Sequence, residues 1–213
     1  MRERSLLIFV LLALVVALPA VVAVWQVDKF SLHLALNGYH TPGLDRAFSY
    51  LTNLASGWVP VIVSFCLLVK SWRAFLMVGL SSAVGALLVQ LIKHGAFPLE
   101  PRPSVFLHAM PGLSLVEGVE LHRYLSFPSG HSTAAFSMCL ALAVVVGRPR
   151  AAAVLAITAC VLAYSRVYLS QHFMVDILAG ALLGSLAGML VYFFLYKGKW
   201  AHAPGLDRSP IRG

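Results

Sequence analysis

Apolar residues fall in long runs along this chain, separated by short polar or basic segments. Residues 5–25 carry no charge over 21 positions, enough to cross a hydrocarbon core of about 30 Å as a helix. A cleaved leader competes, with small residues near Ala20 and Ala23. The run exceeds the roughly 7–15 apolar residues of a leader, so a retained first span is expected. Residues 26–40 mix polar and apolar positions and read as a short interfacial helix. Thr41-Pro42 supplies an N-cap followed by proline at the first turn. The helix it opens leads into a second span ending near Val69, kinked by Gly57 and Pro60. Further spans are expected at 75–92, 128–146, 151–168 and 174–196. Small residues from Gly79 to Ala86 predict close packing of the third span. Residues 94–127 form the one long polar loop. The pattern predicts an all-α bundle of six transmembrane helices over 1–198, followed by a disordered tail over 199–213.

Composition agrees. The chain is 60% hydrophobic and 11% charged, with a mean hydropathy of +0.84, too apolar for a soluble domain of this size. The net charge of +8 raises nucleic acid as a partner. Its placement excludes that: basic residues cluster between spans, with no basic stripe interleaved with aromatics. Cys66, Cys139 and Cys160 lie within apolar runs and read as small core residues. Six spans put both termini on one side. Ten of the 16 Lys and Arg residues lie there, which predicts a cytoplasmic membrane location with cytoplasmic termini. Seven of the eight His, all except His202, fall on the opposite side. The chemistry is therefore expected at the outer face.

Three polar pieces meet at that face. The first is Lys93 with Arg102-Pro103, two cations suited to an anion. The second is Pro128-Ser129-Gly130-His131, opening the fourth span. A helix N-terminus offers unpaired N–H groups to an anion, Ser129 adds a hydroxyl, Gly130 admits close approach, and His131 can move a proton. The third is 164–176, reading YSRVYLSQHFMVD. Arg166 is a forked, fixed charge suited to an oxyanion. His172 and Asp176, four residues apart, share a face if the sixth span is already helical there. A carboxylate holding Nδ1–H leaves Nε2 as a free lone pair. The set holds no carboxylate cluster fit for Mg²⁺ and no Cys/His set fit for Zn²⁺. Its cations can neutralise a phosphate instead.

These pieces resemble the type 2 phosphatidic acid phosphatase (PAP2) superfamily of membrane lipid phosphatases. That family is marked by Lys, six residues, Arg-Pro; by Pro-Ser-Gly-His; and by Ser-Arg, five residues, His, three residues, Asp. The second motif is intact at 128–131, and the third at Ser165-Arg166, His172 and Asp176. The first departs, with eight residues between Lys93 and Arg102. The resemblance implies a metal-free phosphatase with no cofactor, acting on a lipid phosphate or pyrophosphate. Undecaprenyl pyrophosphate, phosphatidylglycerophosphate, phosphatidic acid and lipid A are the candidate substrates. It implies His172 as nucleophile, Asp176 orienting it, and His131 protonating the leaving oxygen and later activating water. Lys93, Arg102, Ser129, Gly130 and Arg166 would hold the phosphoryl oxygens. Headgroup selectivity is expected in 26–40 and 104–126. His108 and His122, outside the motifs, read as solvated or structural.

Three other readings compete. Vanadium haloperoxidases resemble the superfamily, but no soluble helical bundle surrounds these motifs. A rhomboid-type intramembrane serine protease would use Ser129 and a nearby His, yet would leave Arg102, Arg166 and Asp176 without a role. A transporter would place its charges at mid-membrane depth on broken helices.

Overall fold

A computed structural model describes residues 1–211; Arg212 and Gly213, the end of the expected disordered tail, lie outside the described residues. Among those described the chain is helical, with no strand. Helix α1 (Arg2–Gln26) is the first span. The short helix α2 (Lys29–Asn37) follows, as the mixed pattern predicted, and Asp28 caps it by accepting from the N–H groups of Phe30 and Ser31. Helix α3 (Pro42–Leu51) starts at the expected cap, with Thr41 Oγ1 accepting from Leu44 N.

The second span is not continuous. A 3₁₀ turn at Thr52–Ala55 separates α3 from α4 (Trp58–Cys66), and the two segments meet at 61°. The break falls at Ser56-Gly57, where the kink was expected. Helix α5 (Trp72–Gly95) is the third span, capped by Ser71. After the long loop come α6 (Gly130–Val146), α7 (Pro149–Tyr168) and α8 (Met174–Tyr192). The α6–α7 turn is as tight as its sequence implies: Gly147 takes the left-handed conformation at φ +67° and Pro149 opens the next helix.

Among the described residues four helices are long and apolar enough to cross a membrane alone, namely α1, α5, α7 and α8 with its π-turn; the bent α3–α4 pair, taken as one span, makes a fifth. The 17 residues of α6 span about 26 Å, a little less than a bilayer core.

Helix α6 sits at the centre and packs on α8, α7, α5 and α1. Phe136, Leu140 and Val144 from α6 meet Phe9 from α1 and Met77 and Val78 from α5 in the core. The α6–α8 contact depends on Gly180, Gly184 and Gly188, one turn apart on one face of α8. A Cβ at Gly180 or Gly184 would run into the α6 backbone, at the carbonyls of Ser129 and Thr133. With little hydrophobic force between helices in lipid, such close backbone contact supplies the packing.

The tail carries contacts that its polar sequence did not announce. Arg73, in the first turn of α5, is buried and needs acceptors. The tail provides them: Nη1 donates to the carbonyls of Leu195 and Trp200, Nη2 to that of Ala203, and Nε and Nη2 to Asp207. Trp72 N also donates to Arg208 O at 3.1 Å. The segment after α8 thus lies against the start of α5 as far as Arg208.

Candidate active site

The end of α5, the start of α6, the end of α7 and the start of α8 meet at one end of the bundle, with the long loop across them. Every residue of the three polar pieces lies there. Most are withdrawn from solvent: His172 is 1% exposed, Asp176 2%, Arg166 7%, and Lys93 and Arg102 8% each. Buried charges survive only with partners, so the partners define the site.

His172 lies outside α8, contrary to the helical face expected for it. Phe173 is the N-cap and Asp176 the third residue of the first turn. Asp176 Oδ2 caps the helix by accepting from Phe173 N at 2.9 Å. The same oxygen takes the hydroxyl of Ser126 at 2.5 Å and faces His172 Nδ1 at 3.4 Å. Because that neighbour is an acceptor, Nδ1 carries the ring proton and Nε2 keeps its lone pair. The last turn of α7 fixes the approach, since Arg166 O accepts from both Gln171 N and His172 N. Burial, then the cations Arg102, Arg166 and Lys93, hold the imidazole well below the usual histidine range. At neutral pH it is uncharged.

Arg166 donates from Nη1 to Thr52 Oγ1 at 2.6 Å, while its buried Nε has no protein partner. Thr52 belongs to the turn that breaks the second span, so the break positions the arginine. Lys93 and Arg102 converge on one acceptor despite the longer first motif. Leu125 O, on a residue at φ +59°, takes Lys93 Nζ at 2.7 Å and Arg102 Nη2 at 3.3 Å. Arg102 also donates to Tyr124 O and Gln171 O. It braces the long loop against the loop that carries His172.

Ser129 N donates to Asp176 O at 3.0 Å, joining the starts of α6 and α8. Its Oγ accepts from Ser132 N and Ser132 Oγ, which leaves its own proton to donate. No imidazole is bonded to Ser129, so the serine-protease reading is not favoured. Charges at one end of the bundle likewise do not favour a transport path. A Cβ at Gly130 would meet only Val89 Cγ1, at 3.8 Å. Packing does not require glycine there; an incoming group has room beside the backbone. His131 lines a recess of about 230 Å³ with Gly57, Pro60, Ser82, Gln90 and Gly130. The charges of Arg166, Arg102 and Lys93, and the His172 ring, are within electrostatic reach of His131.

The polar pattern did not single out Ser126, Thr52 or Gln171, nor the pair His33 and Asn37 in α2. Asn37 Nδ2 donates to Tyr168 O and Ser170 Oγ, and Asn37 Oδ1 accepts from Ser114 N. His33 Nε2 meets Ser170 Oγ at 3.3 Å. These contacts fasten the loop before His172. His108 and His122 are exposed, as expected. Among the described residues no group of three or more His, Cys, Asp or Glu is placed to hold a metal ion.

The family model of the PAP2 superfamily matches residues 71–200. The chain belongs to the PAP2 superfamily. Curated relatives include the lipid A 4'-phosphatase of Bacteroides thetaiotaomicron, 27% identical over 172 residues, covering 78% of this chain and 76% of the relative. The lipid A 4'-phosphatase of Porphyromonas gingivalis is 26% identical over 181 residues, covering 81% of this chain and 76% of the relative. Among solved structures, Aquifex aeolicus LpxE superposes with a TM-score of 0.67 at 25% identity, over 79% of this chain and 97% of LpxE. The PAP2-type phosphatidylglycerolphosphate phosphatase of Bacillus subtilis shares the fold, with a TM-score of 0.63 at 24% identity, over 93% of this chain and 97% of that one. This PAP2 protein is therefore an enzyme, a phosphatase built into a membrane.

Proposed function

We propose that the protein removes a phosphate monoester from a lipid A type substrate, without metal, through a phosphohistidine on His172. The observation that carries the reaction is the buried His172 ring: Nδ1 faces Asp176 Oδ2 at 3.4 Å, Nε2 is free, and three cations surround it. The names of the two curated relatives support the substrate.

In the first step the Nε2 lone pair attacks phosphorus and the bond to the leaving oxygen breaks. His131, protonated once the bound phosphate offsets the three nearby cations, gives that oxygen its proton. The Nε2–P bond leaves the imidazole positively charged, and Asp176 offsets that charge through Nδ1–H. Lys93, Arg102 and Arg166, with the Ser129 hydroxyl and Gly130 N–H, hold the phosphoryl oxygens as charge shifts among them. His131 then takes a proton from water. The resulting hydroxide attacks phosphorus, Nε2 leaves with its electron pair, and inorganic phosphate forms.

Residues 1–198 act as one domain of six spans, with α3–α4 as a broken second and α6 as a short fourth. The concentration of Lys and Arg at the end opposite the site supports cytoplasmic termini and an outward-facing active site.

Phosphate release by the purified protein, in detergent with EDTA, tests this reading. Lipid A, phosphatidylglycerophosphate, phosphatidic acid and undecaprenyl pyrophosphate are offered, with His172→Ala as the blank. Release from lipid A that is absent in the blank is expected. Preferred release from phosphatidylglycerophosphate would move the substrate assignment, and dependence on added Mg²⁺ would overturn the metal-free chemistry.

A further inference from the structure

The start of α1, Lys70 in the turn before α5, the end of α6 with Gly147 after it, and the end of α8 surround a second cavity, at the end of the bundle away from His172. Its volume is about 500 Å³, within the roughly 300–1,000 Å³ of ligand pockets. Arg2, Lys70 and Lys197 line it, with Glu3 as the single lining carboxylate among the described residues. Glu3 is bonded to Lys197, which leaves Arg2 and Lys70 without a lining counter-charge among the described residues. Arg148 adds a third positive charge within reach of Lys70. The further carboxylate near Arg2 is Asp207, and both its oxygens are bonded to Arg73.

The cations are fixed in place. Lys70 Nζ donates to Val145 O at 2.7 Å. The Arg2 guanidinium lies 4.9 Å from the centre of the Tyr196 ring, and the arginine stem packs over Gly147 in the α6–α7 turn. Like charges gathered around one hollow repel unless an anion sits between them.

We infer that this cavity binds the phosphate headgroup of an anionic membrane phospholipid. Its position at helix ends is the depth of bilayer phosphates, where basic pockets between helices take anionic headgroups. Tyr192 and Tyr196 in its wall suit the same interfacial layer. The inference stands on residues the phosphatase chemistry does not use.

The test is thermal unfolding of the full chain in uncharged detergent, titrated with dihexanoyl phosphatidylglycerol, dihexanoyl phosphatidylcholine or inorganic phosphate. Saturable stabilisation by phosphatidylglycerol, weakened by salt, is expected. In Arg2→Gln with Lys70→Gln, the apparent affinity should fall roughly 30-fold, with turnover of a lipid phosphate unchanged. Lys70→Arg, which keeps the charge, should retain binding and so separates lost charge from lost packing. Equal affinity in parent and double variant would overturn the inference, as would equal binding of phosphatidylcholine. Saturation by inorganic phosphate at the same concentration would overturn the lipid assignment. A fall in turnover matching the fall in affinity would mean one shared site, and would also overturn it.

Discussion

One oxygen of Asp176 faces the Phe173 amide, the Ser126 hydroxyl and the His172 ring. Helix capping and ring orientation are thus one interaction. Asp176→Asn keeps the shape but can present N–H to Nδ1, favouring the wrong tautomer. We expect kcat to fall roughly 10²–10⁴-fold with KM little changed, as steady-state phosphate release would show. A second expectation concerns pH. His172 is held below the usual histidine value by burial and by cations, so its protonation is displaced to lower pH. The neutral nucleophile persists as pH falls through 6.5, and any acid limb due to His172 lies below that value. Lys93→Gln removes one of the cations and should move that limb upward in a profile of kcat/KM against pH. An unchanged limb would separate Lys93 from the site. His172, Asp176, Arg166 and His131 were legible because each is a polar residue at the edge of an apolar run. Ser126 and Thr52 were not. Both are small hydroxyls in ordinary polar surroundings, and each acquires its role from a partner 50 or 114 positions away.

Among the elements, α2 and α8 do more than their sequences announced. The short helix α2 was expected as an interfacial piece, and its polar face closes on the loop before His172. Burial pushes the His33 ring down to about 4. The unfolded chain therefore takes up a proton near pH 6.5 that the folded chain refuses until about 4. Stability contributed by the neutral ring is complete above 6.5 and is lost as pH falls through that window. The upper bound is about 3 kcal/mol at the acid end. His33→Gln should flatten the fall in melting temperature between pH 6.5 and 4; an identical slope would refute the assignment. Helix α8 carries glycines at 180, 184 and 188, a repeat the sequence reading passed over in favour of small residues on the third span. Because the α6 backbone lies against them, Gly184→Val should cost at least ~1–3 kcal/mol, read as a lower melting temperature in detergent. The bend in the second span was legible from Gly57 and Pro60. That it carries Thr52 to Arg166 was not, since a kink's direction is set by what packs on it.

Taken whole, the molecule has two charged ends. One gathers Lys93, Arg102, Arg166, His131 and His172 over the starts of α6 and α8. The other gathers Arg2, Lys70, Arg73 and the segment that follows α8. The apolar pattern carried the helical architecture between them because lipid demands long uncharged helices. It did not announce the contacts between Arg73 and the tail, because Arg73 reads locally as one more residue of a basic turn. Only the assembled fold shows that arginine buried and in need of the carbonyls that follow α8. In the proposed mechanism phosphate passes through His172. The direct measurement is a rapid-quench experiment with lipid substrate labelled in its phosphate monoester, followed by peptide mapping of the labelled protein. Transient label on His172, stable in base and labile in acid, is expected, and none in His172→Ala. Full turnover with no label on that residue, or turnover persisting in His172→Ala, would contradict it.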